Sequence, residues 1–327
     1  MTQRKPRPGP TPGGVAAAAK RVAPHVVRTP LLPLLWGGAR LWIKAECLQE
    51  GGSFKLRGAT NRLLLLSESE RRRGVVAFSS GNHAQGVAIA ARRLGIRAAI
   101  VMPFDAPAVK RDATLAAGAE IVGYDRATES REEIAARLAE SRGSALVPSF
   151  DDVDVIEGQG SVGVEIAEQL GCAPDRVLAP CGGGGLSAGI ALALPESRIV
   201  TVEPEGWDDM ARSLAAGEPV PVEEPAPPTR CDALQTKLVS PLTLGALRDS
   251  KARGVWVSEK EIEQAMAFAA RHLRIVAEPG GAVALAALLA GKAGAVTDRT
   301  VVVVSGGNVD PAVYAAILAG QAAEAER

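Results

Sequence analysis

The run Gly52-Ser53-Phe54-Lys55-Leu56-Arg57-Gly58-Ala59 sets a lysine at the start of a helical stretch, behind a short turn of glycine and serine. Alone, such a lysine reads as a solvated cation, because lysine side chains are seldom buried without a partner. Its company changes that reading. Cys181-Gly-Gly-Gly-Gly-Leu-Ser187 lies between a predicted strand and a predicted helix, where glycines let backbone N–H groups converge on an anion at the helix N-terminus. A phosphate is the natural ligand of such a cradle, and a flexible turn needing positive φ explains one or two glycines better than four. Ser80-Gly81-Asn82-His83 at another strand-to-helix turn offers hydroxyl, amide and backbone donors to a carboxylate or ring oxygen. It is also an ordinary turn with a helix cap, an ambiguity shared by Ser305-Gly306-Gly307-Asn308.

Outward from these clusters the chain reads as alternating strands and helices. Gly74 to Phe78, Ala98 to Met102 and Glu120 to Val122 are short apolar strands, each followed by a helix, at Ala84 to Leu94, Ala106 to Ala117 and Ser130 to Ser141. The later half repeats the pattern, with helix Gly158 to Leu170, strand Arg176 to Ala179, helix Ser187 to Leu194 and strand Ile199 to Glu203. Residues 205–241, rich in proline, read as a covering loop with one short helix near 208–216. Helices Glu259 to Leu273 and Gly281 to Leu289, strand Thr300 to Val304 and a helix from Pro311 complete the pattern. The fold class is therefore α/β, with open parallel sheets flanked by helices. Ligands of such sheets sit at the carboxyl ends of strands, where three of the polar-glycine clusters fall.

A chain of 327 residues, 47% hydrophobic, exceeds the size at which one core usually stops growing, so two domains are expected. Thirty-seven basic residues balance 37 acidic ones, and no basic stripe suggests nucleic acid. A small molecule is the expected partner. Cys47, Cys172, Cys181 and Cys231 form no CxxC pair, which argues against zinc and disulfides and for reduced thiols in the cytosol. Met1 to Gly14 lacks the apolar stretch of a signal peptide and reads as a disordered arm. No apolar run, Ala282 to Ala290 included, is long enough to span a bilayer.

One rival uses the glycine run differently. Gly183-x-Gly185-x-x-Ala188, with Glu203 twenty residues beyond Gly183, fits a dinucleotide-binding pattern. A nicotinamide enzyme built on these residues would leave Lys55 and Ser79 to His83 without a role. A P-loop is disfavoured, since no Gly-Lys precedes Ser187.

Taken together, the motifs resemble the fold-type II pyridoxal phosphate enzymes of the threonine/serine dehydratase and serine racemase family. The resemblance runs through Lys44-Ala-Glu46-Cys-Leu-Gln49, Gly52 to Ala59, Ser79-Ser-Gly-Asn-His-Ala-Gln-Gly86, Gly158-Gln-Gly160, Gly182 to Gly185, Val202-Glu-Pro204, Glu278-Pro279 and Ser305-Gly-Gly-Asn308, which is nearly the whole chain. It implies a tryptophan synthase beta-like fold of two mainly parallel twisted sheets, with the cofactor between a large domain (1–73 and 148–327) and a small substrate-binding domain (74–147). By the same resemblance Lys55 carries pyridoxal 5'-phosphate covalently and Phe54 stacks on its ring. Asn82 bonds the ring hydroxyl, Gly182, Gly183, Gly184 and Gly185 hold the phosphate, and Ser305 faces the ring nitrogen. Ser53, Ser79, Ser80, His83 and Arg131 are expected on the substrate.

The activity so implied is loss of water from a β-hydroxy amino acid, giving a 2-oxo acid and ammonia. L-Threonine and L-serine lead, with 3-hydroxyaspartate close behind if Arg131 reads a second carboxylate. Ser80, where racemases of the family carry a proton donor, keeps a serine or aspartate racemase as the alternative. Glu203, Trp207 and Asp209 match oxygen ligands that some members offer a divalent ion, suited to Mg²⁺, Ca²⁺ or Mn²⁺. Gly51 stands where the family usually has threonine, and Cys231-Asp232-Ala233 replaces the more usual Ala-Asp-Gly, so the substrate pocket departs from the pattern. After Ser305 one short helix is expected and a regulatory domain is not. A homodimer or higher homo-oligomer is expected, although apolar helices such as Gly281 to Leu289 equally describe a core.

Overall fold

In the computed structural model, which describes residues 8–106 and 108–325, ten strands form two sheets. The strands are β1 (Leu31–Trp36), β2 (Ala39–Ala45), β3 (Val75–Phe78), β4 (Ala98–Pro103), β5 (Glu120–Tyr124), β6 (Ala145–Leu146), β7 (Arg176–Pro180), β8 (Arg198–Pro204), β9 (Arg253–Val257) and β10 (Thr300–Val304). Six of them run in the order β1-β2-β10-β7-β8-β9 and four in the order β5-β4-β3-β6. Every pairing is parallel except the β1–β2 hairpin. The smaller sheet is drawn wholly from residues 75–146, and the larger from the chain on either side.

Both faces of the larger sheet are covered, which explains its unbroken apolar strands. Val302 and Val304 of β10 pack with Val283 and Leu285 of helix Pro279–Leu289. Val301 and Val303 pack with Leu186 and Ile190 of helix Gly185–Ala193 on the other side. In the smaller sheet, Ala77 and Ile100 meet Val87 of helix Asn82–Arg93, while Val76 and Val101 meet Ala135 of helix Arg131–Arg142.

Several sequence expectations need correction. The hairpin β1–β2 has no clear sequence signal because Pro33 interrupts an apolar run, yet β1 is an edge strand, where proline is tolerated. Its turn is Gly37-Gly38, both at positive φ (56° and 82°), the conformation that favours glycine in tight hairpins. The arm expected over Met1 to Gly14 ends earlier. Residues 1–7 lie outside the described residues, while Pro12 to Gly14 open helix Pro12–Val22, whose N-cap Thr11 accepts a hydrogen bond from Gly14 N. Gly158 to Leu170 is two helices, Val153–Gln159 and Ser161–Leu170. Glu259 to Leu273 is regular only to Phe268, then widens by a π-helical turn that ends at Arg274 with φ 58°.

Candidate active site

The turns after β3, β7 and β10 converge at the carboxyl ends of their strands, where open α/β sheets place their ligands. Phe54, Lys55, Asn82, Gly182 to Gly185 and Ser305 all line one small enclosed pocket. It adjoins a cleft of about 1000 Å³ that also reaches Lys55 and Asn82 and is lined further by Ser79, Ser80, His83 and Arg131.

Lys55 begins helix Lys55–Leu64. The turn before it is fastened to the end of β10, since Phe54 N donates to Ser305 O (3.1 Å) and Ser53 bridges Gly306. Lys55 Nζ donates to Ser149 O (2.9 Å) and lies 5.2 Å from the centre of the Phe54 ring. Burial lowers its pKa to about 8, because desolvation disfavours the charged ammonium. An amine so placed is roughly one-tenth free base at pH 7, a far larger share than an ordinary lysine offers.

Across the pocket, Gly184 has φ 87° and caps helix Gly185–Ala193 without any side-chain hydrogen bond. A Cβ on Gly183 would sit 2.3 Å from the Phe150 ring, and one on Gly182 only 3.1 Å from Thr236 Oγ1. The loop therefore needs its glycines for close approach as well as for backbone freedom. What remains is a side-chain-free helix N-terminus facing a lysine, a shape and charge that fit a phosphate. The cradle, the amine and the Ser305 hydroxyl share one pocket, so these residues fit pyridoxal phosphate.

Asn82 Nδ2 donates to Glu278 Oε1 (2.5 Å), and Asn82 Oδ1 accepts from Asn308 Nδ2 (2.8 Å). Those two bonds fix the amide's orientation and leave one Nδ2 hydrogen free to donate. Glu278 enters the sequence reading only as part of a motif. Burial, with Asp232's charge, pushes its carboxyl up to about 7. A Cβ on Gly306 would lie 2.0 Å from Glu278 Oε1, so the glycine of the β10 turn makes room for this acid.

The polar loop after β3 holds Ser79 Oγ as acceptor from Gly81 N (3.1 Å). His83 Nε2 lies 2.8 Å from Val147 O, which can only accept, so Nε2 carries the proton. Burial and the Lys55 charge depress the His83 pKa to about 3, and the ring is neutral. Arg131 stands at the cleft rim with its guanidinium 5.7 Å from the Phe78 ring centre and Nε bonded to Glu132 Oε1 (2.8 Å). Ser53 differs from its expected place: it is 2% exposed and lines neither the pocket nor the cleft.

Glu203 ends in another environment. Its oxygens accept from Met210 N (2.8 Å) and Ala211 N (2.9 Å) at the start of helix Asp209–Ala216. That corrects the dinucleotide reading of Gly183, Gly185 and Glu203, because the carboxylate is buried and committed to a helix rather than offered to a ribose. Asp209 is buried with no hydrogen-bond partner on either carboxylate oxygen. Burial raises it to about 7, and burial with Asp209's charge raises Glu203 well above its ordinary value. Trp207 lines the cleft, its Nε1 donating to Pro227 O (2.8 Å).

Phe150, Ser149, Thr236, Lys110 and Asp232 also line these spaces, and no sequence motif marks them as site residues. They come from loops and a charged helix without local pattern.

Comparison with known proteins bears on this geometry. A family profile described as "Pyridoxal-phosphate dependent enzyme" matches residues 22–307. L-threo-3-hydroxyaspartate ammonia-lyase of Saccharomyces cerevisiae is 40% identical over 320 residues, 95% of this chain and 97% of that protein. Maize serine racemase superimposes with a TM-score of 0.88 at 35% identity, covering 98% of this chain and 100% of that one. The processed form of threonine deaminase isoform 2 from Solanum lycopersicum gives a TM-score of 0.85 at 32% identity, over 98% of this chain and 94% of that one.

Proposed function

The chain belongs to the pyridoxal-phosphate dependent enzymes, and from that premise we propose that it is an ammonia-lyase that converts a β-hydroxy amino acid to a 2-oxo acid and ammonia. The observation that carries this reading is the buried Lys55 amine, with its pKa of about 8, standing where the glycine-loop pocket opens into the substrate cleft. Pyridoxal phosphate, when bound, supplies the electron sink for negative charge at the substrate α-carbon. Gly182 to Gly185 would hold its phosphate through backbone N–H groups, Asn82 would donate to its ring hydroxyl, and Phe54 and Ser305 would hold the ring and its nitrogen. Ser79, Ser80 and the start of helix Asn82–Arg93 bind the substrate carboxylate. The neutral His83 holds the 146–150 segment through Val147 O. Lys55 Nζ takes the α-proton, working close to its own pKa. The β-hydroxyl departs as water, and hydrolysis of the released enamine gives the oxo acid and ammonia.

L-Threonine, L-serine and 3-hydroxyaspartate are the substrates to compare, and Arg131 at the rim favours the last. A racemase reading rests on one observation, the Ser80 hydroxyl in the same cleft as Lys55. Purified, cofactor-loaded enzyme assayed on these amino acids for oxo-acid release and α-proton exchange separates the two. Release on the timescale of exchange supports the lyase, and exchange without release makes the enzyme a racemase.

The same reading takes residues 74–147 as the substrate-binding domain and 1–73 with 148–327 as the cofactor-binding one. It includes a divalent ion held by Glu203, the Trp207 carbonyl and Asp209. Unpartnered buried carboxylate oxygens on Asp209 support it, since an uncompensated buried charge is costly. Treatment with EDTA is then expected to lower the melting temperature, and an unchanged melting temperature and activity would remove the ion. Four free cysteines fit a reducing compartment such as the cytosol. No described helix is long and apolar enough to cross a membrane. A homo-oligomer belongs to the same reading and is testable by light scattering.

A further inference from the structure

Beyond Lys55, the most recessed cation of the cleft is Lys110, in helix Ala108–Ala116, and it takes no part in the chemistry described so far. Its Nζ pairs with Asp232 Oδ2 in the short turn Asp232–Leu234, across 122 residues of chain. The pair joins an element of the smaller-sheet side to the proline-rich segment between β8 and β9. It is lopsided: the lysine side chain is 15% exposed and the aspartate 49%. The cation is thus recessed and its counter-ion stands toward the open cleft. A Cβ on Gly81 would lie 3.9 Å from Lys110 Nζ, so the ammonium hangs over the loop that receives the substrate carboxylate. By contrast, the Arg131 guanidinium sits farther out, 45% exposed, engaged by Glu132 and the face of Phe78.

We infer that Lys110 is the specificity cation of this site, taking the side-chain carboxylate of a dicarboxylic β-hydroxy amino acid, with Asp232 keeping its place when no such substrate is bound. The inference rests on the lyase reading and narrows its substrate class. Exchange of the Asp232 carboxylate for the substrate's leaves Lys110 paired before and after, so a dicarboxylate enters without stranding a charge. A substrate with a small neutral side chain leaves the Lys110–Asp232 pair closed and gains nothing from it. Charge complementarity at a binding site sets specificity more than it sets gross affinity.

A simple latch between the two sides of the cleft would also pair these residues, and the two roles differ in sign. For a latch, loss of either partner has the same effect. For a competed cation, loss of Lys110 weakens dicarboxylate binding while loss of Asp232 strengthens it. The experiment measures equilibrium binding of succinate and butyrate to the holoenzyme by calorimetry, for the native protein, Lys110→Met and Asp232→Asn. Alongside it, kcat/KM is measured for L-serine and 3-hydroxyaspartate. Lys110→Met is expected to weaken succinate about tenfold or more relative to butyrate, and to lower kcat/KM for hydroxyaspartate by a similar factor relative to serine. Asp232→Asn is expected to tighten succinate several-fold. Shifts of the same sign in both variants, or equal losses for mono- and dicarboxylates, would overturn the inference. If the native enzyme released oxo acid from none of the amino acids, the lyase reading would fall, while the succinate arm would still decide the role of Lys110.

Discussion

Lys55 owes its chemistry to burial. Desolvation is the cause of its lowered pKa, since its one hydrogen bond, to a neutral carbonyl, does little to hold the charge. Only the free base condenses with an aldehyde, so uptake of pyridoxal phosphate by the apoprotein is expected to speed up with rising pH and to level off above about 8. An ordinary lysine would keep accelerating uptake past a pH of about 10, and stopped-flow absorbance from about pH 6 to about pH 10.5 distinguishes the two. Residues of this kind are legible in sequence when they sit in polar, glycine-containing turns, as Lys55, Asn82 and Ser305 do. Glu278 is not, because its surroundings are built by distant chain: Asn82, at the end of the other sheet, binds it, and Gly306 clears the space it fills. Lys110 hides for a different reason, since on a short helix with other charges it looks like any solvated lysine.

At the scale of elements, the helix that begins with Lys55 is anchored from beneath by Arg57. Its guanidinium donates to Glu46 Oε2 (2.7 Å) at the end of β2 and to Glu165 Oε1 (2.7 Å) in helix Ser161–Leu170. Lys44 Nζ completes the cluster at Glu165 Oε2 (2.6 Å). Arg57, Lys44 and Glu46 are fully buried, so removing one member leaves the opposite charges without compensation. Arg57→Met is accordingly expected to destabilise the fold by about 3–5 kcal/mol in urea unfolding, and a change below about 1 kcal/mol would show that the cluster does not anchor the helix. In sequence, Arg57 stands out only as a motif member two residues past the lysine. Periodicity locates most strands and helices, because strands buried on both faces are short apolar runs between polar turns. It misses the β1–β2 hairpin, whose edge position excuses Pro33, and it runs past Phe268, where the helix changes its winding.

For the whole molecule, the division of labour follows the architecture. Cofactor-fitting residues come from turns at strand ends and from the turn that opens helix Lys55–Leu64, each contiguous in sequence, and the chemical class is therefore legible there. The cleft beside them is lined further by helix Ala108–Ala116, the 146–150 segment and the loop between β8 and β9. Only the folded chain brings them together, so side-chain specificity is not legible in the sequence, and Lys110, unlike Arg131, emerges only in three dimensions. All of it depends on Lys55 being the residue that holds the cofactor. Borohydride reduction of the holoenzyme, followed by peptide mass mapping, tests that directly. The expected result is loss of the visible cofactor band with the reduced cofactor's mass on the peptide containing Lys55; a band that survives reduction, or a label on any other lysine, would contradict it.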